Sequence, residues 1–493
     1  MQAEQGVLAT SKEFQILEAS IIDLQAAMEK GIVTSVDLVK MYLDRIERYD
    51  KKGPSINAMI YLNSNAIGTA TELDEERAEK GPRGPLHGIP VIVKDNYNTI
   101  DMPTTASSRV LKDSVPIEDS FMVAELRKAG AVIIGKSNMH EFAYGISTIS
   151  SLGGQTFNPY ALNRHPGGSS GGTGAAIAAN FASFGLGTDT GCSIRNPSSY
   201  NSLVGLRATY GLTSRAGIIP ISLTQDVGGP MARSVSDVAV VMDVLAGKFD
   251  PQDPATTHGL DKTPDSYADF LNVDGLKGAR IGILKEYFGD HPECEPTNKV
   301  MYRAILDLEK QGASCLEIRI PNLSEADNSR IPEFEFETAI NQYLESLGEG
   351  RSYNSLVEII ETGVCTPGIL KHLTAAVGHT LEDPEYQEAL VNRVRFRESV
   401  EELMDKFNLD AIMYPTFKSP PPLIGEEKWG FNNGGLSAYS GLPAISVPAG
   451  FTEDGLPIGM ELAGRSFDER RLIELAYSYE QATHHRKPPQ STL

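Results

Sequence analysis

Two glycine-rich stretches place hydroxyl groups where chemistry can use them. "PGGSSGGTGAA" (residues 166–176) holds Ser169 and Ser170, and "GTDTGCSIR" (187–195) holds Ser193. A serine hydroxyl is a weak nucleophile and needs a base beside it. Histidine is the usual base, but His165 precedes a Pro-Gly turn, and His484 and His485 lie together in a polar tail. Lysine serves instead when it is neutral, a state that burial or nearby positive charge produces. Lys94 closes the apolar run "IPVIV", where a desolvated lysine is expected, although a lysine at a strand end is more often a structural salt-bridge partner. Nucleotide readings of the first stretch fail. The phosphate loop needs a lysine that this glycine run lacks, and Gly172-Thr173-Gly174 is not followed by the third glycine of a dinucleotide fingerprint.

These groups need a scaffold that returns Ser193 to Ser169. Hydrophobic patterning supplies one. "IPVIVKD", "AVIIGKSN", "SFGLGTDT", "ARIGILK", "CLEIRI", "DAIMYPT", "PAISVPA" and "PIGMELAG" read as strands. "DSFMVAELRKAG", "GGTGAAIAANF" and "ERRLIELAYSYEQAT" read as helices between or after them. Near the start, Ser20 with Asp23 and Thr34 with Asp37 mark two capped helices. Such βα alternation predicts an α/β fold with a mostly parallel sheet covered by helices on both faces. Lys94 and Thr190 then fall at carboxyl ends of strands, where ligand sites of such sheets gather. Residues 322–400 are acidic, mostly helical and poor in strands, and are expected to form a helical excursion that covers the pocket.

The chain has 493 residues and a formal net charge of −21, from 44 basic and 65 acidic side chains. That balance argues against phosphate-backbone recognition and so against nucleic acid as a partner. No run reaches the ~20 apolar residues of a membrane span. Cys192, Cys294, Cys315 and Cys365 are widely spaced, without the clustering of a zinc site. The N-terminal "MQAEQGVLATSKEFQ" lacks the basic and apolar regions of a secretory signal, so the cytoplasm is the expected compartment, with a secreted mature form left open.

Three segments in fixed order, "HGIPVIVKDNYN", "PGGSSGGTGAA" and "GTDTGCSIRNPSS", strongly resemble the amidase signature family. "GKSNMHEFAYG", "GGQTFNPY", "GLRATYGLTSRAGIIP" and the C-terminal "YSGLPAISVPAGFTEDGLPIGMELAG" support the resemblance, which spans nearly the whole chain and is weakest over 240–400. It implies one large amidase domain over 1–493, hydrolysis of a carboxylic amide to acid plus ammonia or amine, and no metal or cofactor. It implies Ser193 as nucleophile, Ser169 as a proton-bridging serine after a cis peptide bond, Lys94 as general base and Ser170 as a supporting residue. The backbone N–H groups of Thr190, Gly191, Cys192 and Ser193 would form the oxyanion hole. Ala143 aligns with a substrate-contacting position of fatty-acid amide hydrolases. Tyr97, Met102 and Tyr144 are pocket candidates, although such residues are more often ordinary core, and the loop carrying Trp429 lies where family members line the pocket mouth and fits an exposed loop without substrate contact equally well. The implied partner is a small-molecule amide, with a homodimer left open.

One departure stands out. The family usually has glycine where this chain has Cys192, which opens a nitrilase-like reading with Cys192 itself as nucleophile. A second alternative is the catalytic component of a tRNA-dependent amidotransferase, and a third is a non-catalytic relative.

Overall fold

A computed structural model describes residues 14–321, 323 and 331–493. The extreme N-terminus and the first residues of the expected excursion lie outside the described residues. Eleven strands form one sheet. In chain order they are β1 (Met59–Leu62), β2 (Pro90–Lys94), β3 (Val132–Ser137), β4 (Phe184–Asp189), β5 (Val204–Arg207) and β6 (Val227–Ala232), followed by β7 (Arg280–Leu284), β8 (Ser314–Ile318), β9 (Ala411–Pro415), β10 (Ala444–Phe451) and β11 (Pro457–Ala463). Their spatial order is β1-β3-β2-β4-β6-β5-β10-β11-β9-β7-β8. The fold is a single α/β domain with a large mixed sheet flanked by helices, as the sequence implies.

Parallel pairing is confined to two wings, β3-β2-β4 and β9-β7-β8. The middle, β4-β6-β5-β10-β11-β9, is antiparallel throughout, as is β1 on β3. Parallel neighbours therefore prevail less than the βα alternation suggests. β5 and β6, unread in the sequence, lie antiparallel to both of their neighbours, and β10 and β11 are joined by a tight turn at Asp454-Gly455. A short connection forces antiparallel pairing, whereas a parallel pair needs a long crossover.

The first wing positions the chemistry. Every residue of β2 and β4 is buried. The helix Phe121–Lys128 crosses from β2 to β3, and the helix Gly171–Ala178 crosses from β3 to β4. Since β2 and β4 are parallel neighbours with Val93 opposite Leu186, their carboxyl ends emerge side by side. The crossover helix between β3 and β4 is wholly buried and made of small residues, which lets it approach the sheet closely. A Cβ on Gly172 would run into the backbone carbonyl of Ala58 at 2.8 Å.

At the N-terminus, helices Ile21–Glu29 and Ser35–Tyr49 begin at Ser20 and Thr34, each closed by the reciprocal cap with Asp23 or Asp37 that the sequence indicates. Helices Pro332–Ser346, Leu356–Glu361, Pro367–Ala375 and Pro384–Phe407 follow β8, with no strand between them among the described residues. The first three bury Phe336, Ile340, Leu356, Ile369 and Leu373 against Met139, Phe142 and Ala143 in an apolar cluster separate from the main core. No helix among the described residues is long and apolar enough to cross a membrane.

Candidate active site

Lys94 ends β2 and is fully enclosed. Its Nζ lies 2.7 Å from Ser169 Oγ and 2.7 Å from Thr188 Oγ1. Thr188 is the penultimate residue of β4, so the pairing of β2 with β4 delivers it to the lysine. Asn96 Nδ2 donates to the same Thr188 oxygen at 3.1 Å, which fixes that hydroxyl from the other side. No carboxylate touches Lys94 Nζ among the described residues. Burial drives its pKa down to about 7, although Asp189 and Asp226 at longer range favour the charged form. A lysine so placed has access to its neutral form near neutrality and can accept a proton.

Ser169 follows a cis peptide bond from Gly168. The loop is tightly packed: a Cβ on Gly168 would lie 2.8 Å from the Ile146 carbonyl carbon, and one on Gly167 would lie 2.6 Å from Asn196 Oδ1. Gly167 has φ +81°, a conformation that glycine adopts without steric cost. Ser170 behaves as the supporting residue that the resemblance implies. Its Oγ donates to Thr188 O at 3.2 Å and accepts from Thr188 N at 3.3 Å, and so clamps the loop to the end of β4.

Ser193 stands in the turn between β4 and the short helix Arg195–Tyr200. Ser169 is fully enclosed, whereas Ser193 keeps 7% of its surface open, so a reactant reaches Ser193 first. The backbone N of Ser170 donates to Ser193 O at 3.3 Å and joins the two serine loops. Among the described residues no hydrogen bond links the hydroxyls of Ser169 and Ser193. The expected lysine–serine contact is formed and the serine–serine contact is not, and catalytic hydrogen bonds of this kind often tighten only when substrate is bound.

The turn itself explains where an oxyanion would sit. Each of its carbonyls is held from behind: Thr190 O by Gln225 Nε2 at 2.7 Å, Gly191 O by Arg195 Nη2 at 3.0 Å and Cys192 O by Asn196 N at 2.7 Å, with Ser193 O taken by Ser170. Among the described residues, no hydrogen bond uses the N–H groups of Thr190, Gly191, Cys192 or Ser193. A Cβ on Gly191 would meet nothing within 4 Å. One turn thus holds four unused donors with open space at Gly191, the kind of arrangement that stabilises a developing oxyanion.

A buried charge network braces the turn. Asp189 Oδ2 accepts from Ile194 N and Arg195 Nε, each at 3.0 Å, and Asp189 Oδ1 accepts from Arg195 Nη2 at 3.0 Å and Arg207 Nη1 at 3.2 Å. Arg195 Nη1 reaches Glu461 Oε1 at 2.6 Å, which also accepts from Tyr414 OH at 2.7 Å. The two guanidinium groups outweigh burial and hold Asp189 down to about 2. Sequence reasoning missed Thr188, Asp189, Arg195, Gln225 and Glu461. Glu461 carried a usable signal, a carboxylate inside the apolar strand "PIGMELAG", since a buried charge needs a partner.

Cys192 turns away from the turn's open side. It is buried with Ile146, Tyr200 and Phe417, and burial pushes its thiol up to about 12. A thiol held protonated in an apolar cluster is not a nucleophile, so the nitrilase-like reading loses its basis. The remaining candidates separate. Tyr97 is core, its hydroxyl donating to Gly187 O at 2.6 Å, and Met102 is buried in the main core. Tyr144 stacks on His372 and meets Phe336 edge-on, both from the helical excursion. Ala143, at φ +60°, is buried in the same apolar cluster. Trp429 is half exposed, with Nε1 on Glu427 Oε2 at 3.3 Å. A cavity of about 230 Å³ opens between Thr188 and Asp226 on one side and Ala339 and Tyr343 of helix Pro332–Ser346 on the other.

This geometry and the chain's likenesses agree on its class. The amidase family profile matches residues 37–473, and the chain belongs to the amidase family, with the α/β fold of amidase signature enzymes. It is 35% identical to the A component of the glutamyl-tRNA(Gln) amidotransferase of Thermoanaerobacter pseudethanolicus, over 97% of this chain and 99% of that one. Its structure resembles native peptide amidase from Stenotrophomonas maltophilia with a TM-score of 0.89 at 37% identity, over 97% of this chain and 99% of that one. It resembles the A component of the glutamyl-tRNA(Gln) amidotransferase from Thermotoga maritima with a TM-score of 0.75 at 27% identity, over 97% and 99%.

Proposed function

We propose that the protein is a stand-alone amidase in which Ser193 forms the acyl-enzyme, Ser169 relays the proton and Lys94 is the base. Neutral Lys94 takes a proton from Ser169, which takes one from Ser193 as Ser193 Oγ attacks the amide carbonyl. The N–H groups of Thr190, Gly191, Cys192 and Ser193 receive the oxyanion. Ser169 returns the proton to the departing ammonia or amine, and water then releases the acid from Ser193. The observation that carries this reading is Lys94 Nζ at 2.7 Å from Ser169 Oγ beside a turn of unused N–H donors. A cavity that Thr188 shares with Ala339 and Tyr343 of helix Pro332–Ser346 supports a role for the helical excursion beside the site. The likeness to peptide amidase supports amides of peptides or amino acids as the substrate class. Four unpaired cysteines support a reducing, cytoplasmic setting.

The test is a pair of variants on a panel of peptide and simple carboxamides with released ammonia as readout. Ser193→Ala should lose activity by about 10⁴-fold or more with the fold retained. Cys192→Gly should keep substantial activity, because the mechanism uses only its backbone N–H. An active alanine variant beside a dead glycine variant would refute the assignment. The reading as an amidotransferase component is kept alive by the 35% identity over 97% of the chain. Glutamine-dependent amidation of charged tRNA, with no hydrolysis of free amides by the purified chain, would favour it.

A further inference from the structure

The structure holds a second cavity, of about 710 Å³, lined by residues of the helix Pro384–Phe407 and the turn at Thr209-Tyr210. None of Lys94, Ser169 and Ser193 lines it. Arg393 and Arg397, one helical turn apart, project from the helix into it, and His258 joins them. Glu401 also lines the cavity, but its Oε1 is taken by Ser466 N at 3.0 Å and Ser466 Oγ at 2.9 Å. In a chain of net charge −21, this is a concave surface with an excess of cationic groups.

Arg393 is the unusual member. It is only 8% exposed, yet its hydrogen bonds go to neutral oxygens, Gln225 Oε1 at 3.0 Å and Thr224 O at 3.1 Å. Among the described residues neither Arg393 nor Arg397 forms an ion pair. The carboxylate that acts on Arg393 at longer range, Glu335, is already engaged by Ser222 Oγ and Tyr386 OH. Arg207 lies on the same side and repels it. A buried guanidinium without a bonded anion is costly, and its planar fork of donors matches carboxylate or phosphate.

One residue of the cavity wall connects to the oxyanion turn through a single side chain. Arg393 holds Gln225 Oε1, and Gln225 Nε2 holds Thr190 O at 2.7 Å. We propose that the cavity binds a small multivalent oxyanion through Arg393 and Arg397, and that occupancy reaches the oxyanion turn through Gln225. A bound anion would draw on the same guanidinium that orients Gln225, and so alter the support of Thr190. This differs from substrate binding, because none of Lys94, Ser169 and Ser193 lines the cavity.

The experiment titrates the full-length chain with inorganic phosphate and, separately, with citrate at fixed pH and ionic strength, by calorimetry and thermal melting. Expected are one site per chain, a saturable rise in Tm of about 3 °C and a saturable change in kcat with at least one probe. Response to phosphate alone assigns phosphate chemistry, and response to citrate alone assigns carboxylate chemistry. Arg397→Gln should keep basal kcat and lose both the Tm shift and the kcat response. Val394→Asp, at an exposed position on the cavity rim, should do the same without touching the core. Gln225→Leu should keep the Tm shift and lose the kcat response. No saturable heat with either probe would overturn the site. So would a Tm shift equal in wild type, Arg397→Gln and Val394→Asp, or competitive inhibition unchanged by both variants. A Tm shift with unaltered kcat would overturn the coupling.

Discussion

Lys94 and Lys136 share almost everything except their neighbours. Both lie at or next to the carboxyl end of adjacent parallel strands, both follow apolar runs, and both are fully enclosed. Lys136 Nζ meets the carbonyls of Tyr97 at 2.7 Å and Pro103 at 3.2 Å, with the Asp95 carboxylate at 3.5 Å. Carbonyls and carboxylates only accept, and these three acceptors match the three donors of an ammonium, one more than a neutral amine has. Lys94 meets only hydroxyls, those of Ser169 and Thr188. A hydroxyl donates as readily as it accepts, so this environment tolerates the neutral amine and can hand it a proton. Burial outweighs the nearby carboxylates in both lysines and leaves Lys94 at about 7 and Lys136 at about 8. Partner chemistry separates a base from a structural cation.

Exchanging each lysine for methionine gives the largest contrast. Lys94→Met should lower kcat by about 10³-fold or more, the scale of a lost general base, while the protein still folds. Lys136→Met should instead strand the Asp95 carboxylate and cost about 3–5 kcal/mol of stability. Lys94→Arg should not restore activity, because arginine stays protonated. Parallel thermal melts and steady-state kinetics check both, and a Lys136 variant that melts normally but is dead would erase the distinction.

A double-mutant cycle sharpens it further. Lys94→Ala and Ser169→Ala should each cost orders of magnitude in kcat, and together little more than either alone, since they act as one relay. Additive losses would mean that the 2.7 Å contact is not a proton path. A smaller effect belongs to Thr188→Val, which removes one of the two hydroxyls on Lys94 and should lower kcat about tenfold. Thr104→Val removes the corresponding hydroxyl, 2.9 Å from Lys136 Nζ, and should leave kcat unchanged.

The two lysines also mark the limit of what the sequence discloses. "IPVIVKD" and "AVIIGKSN" present the same local pattern, an apolar strand running into a lysine. Both lie in segments that resemble the family, and only the base role implied for Lys94 separated them. Strands and helices with strong periodicity were legible, as were the capped N-terminal helices and the two serine loops. The antiparallel middle of the sheet was not, because β5 and β6 are buried on both faces and carry no alternation. The support of the turn was equally hidden. Gln225 and Glu461 reach it from positions far along the chain, and no local spacing announces a hydrogen bond such as Arg195 to Glu461.

The subtlest test is the pH dependence. The relay needs Lys94 unprotonated, and its pKa is lowered to about 7. The competent fraction therefore falls as pH drops below that value and is nearly complete well above it. kcat/KM, which reports the free enzyme, should rise about tenfold per pH unit on the acid side and level off on the alkaline side. Asp226 favours the charged lysine. It also accepts from Thr190 Oγ1 at 2.5 Å, so its charge sits beside the oxyanion turn. Asp226→Asn should lower the Lys94 pKa and move the rising limb to lower pH, with some loss in the plateau from the altered Thr190 contact. Asp95→Asn acts on Lys136 instead, and should lower Tm while leaving the limb in place. A limb that moves with Asp95 and ignores Asp226 would reassign the titrating lysine from Lys94 to Lys136, and with it the base.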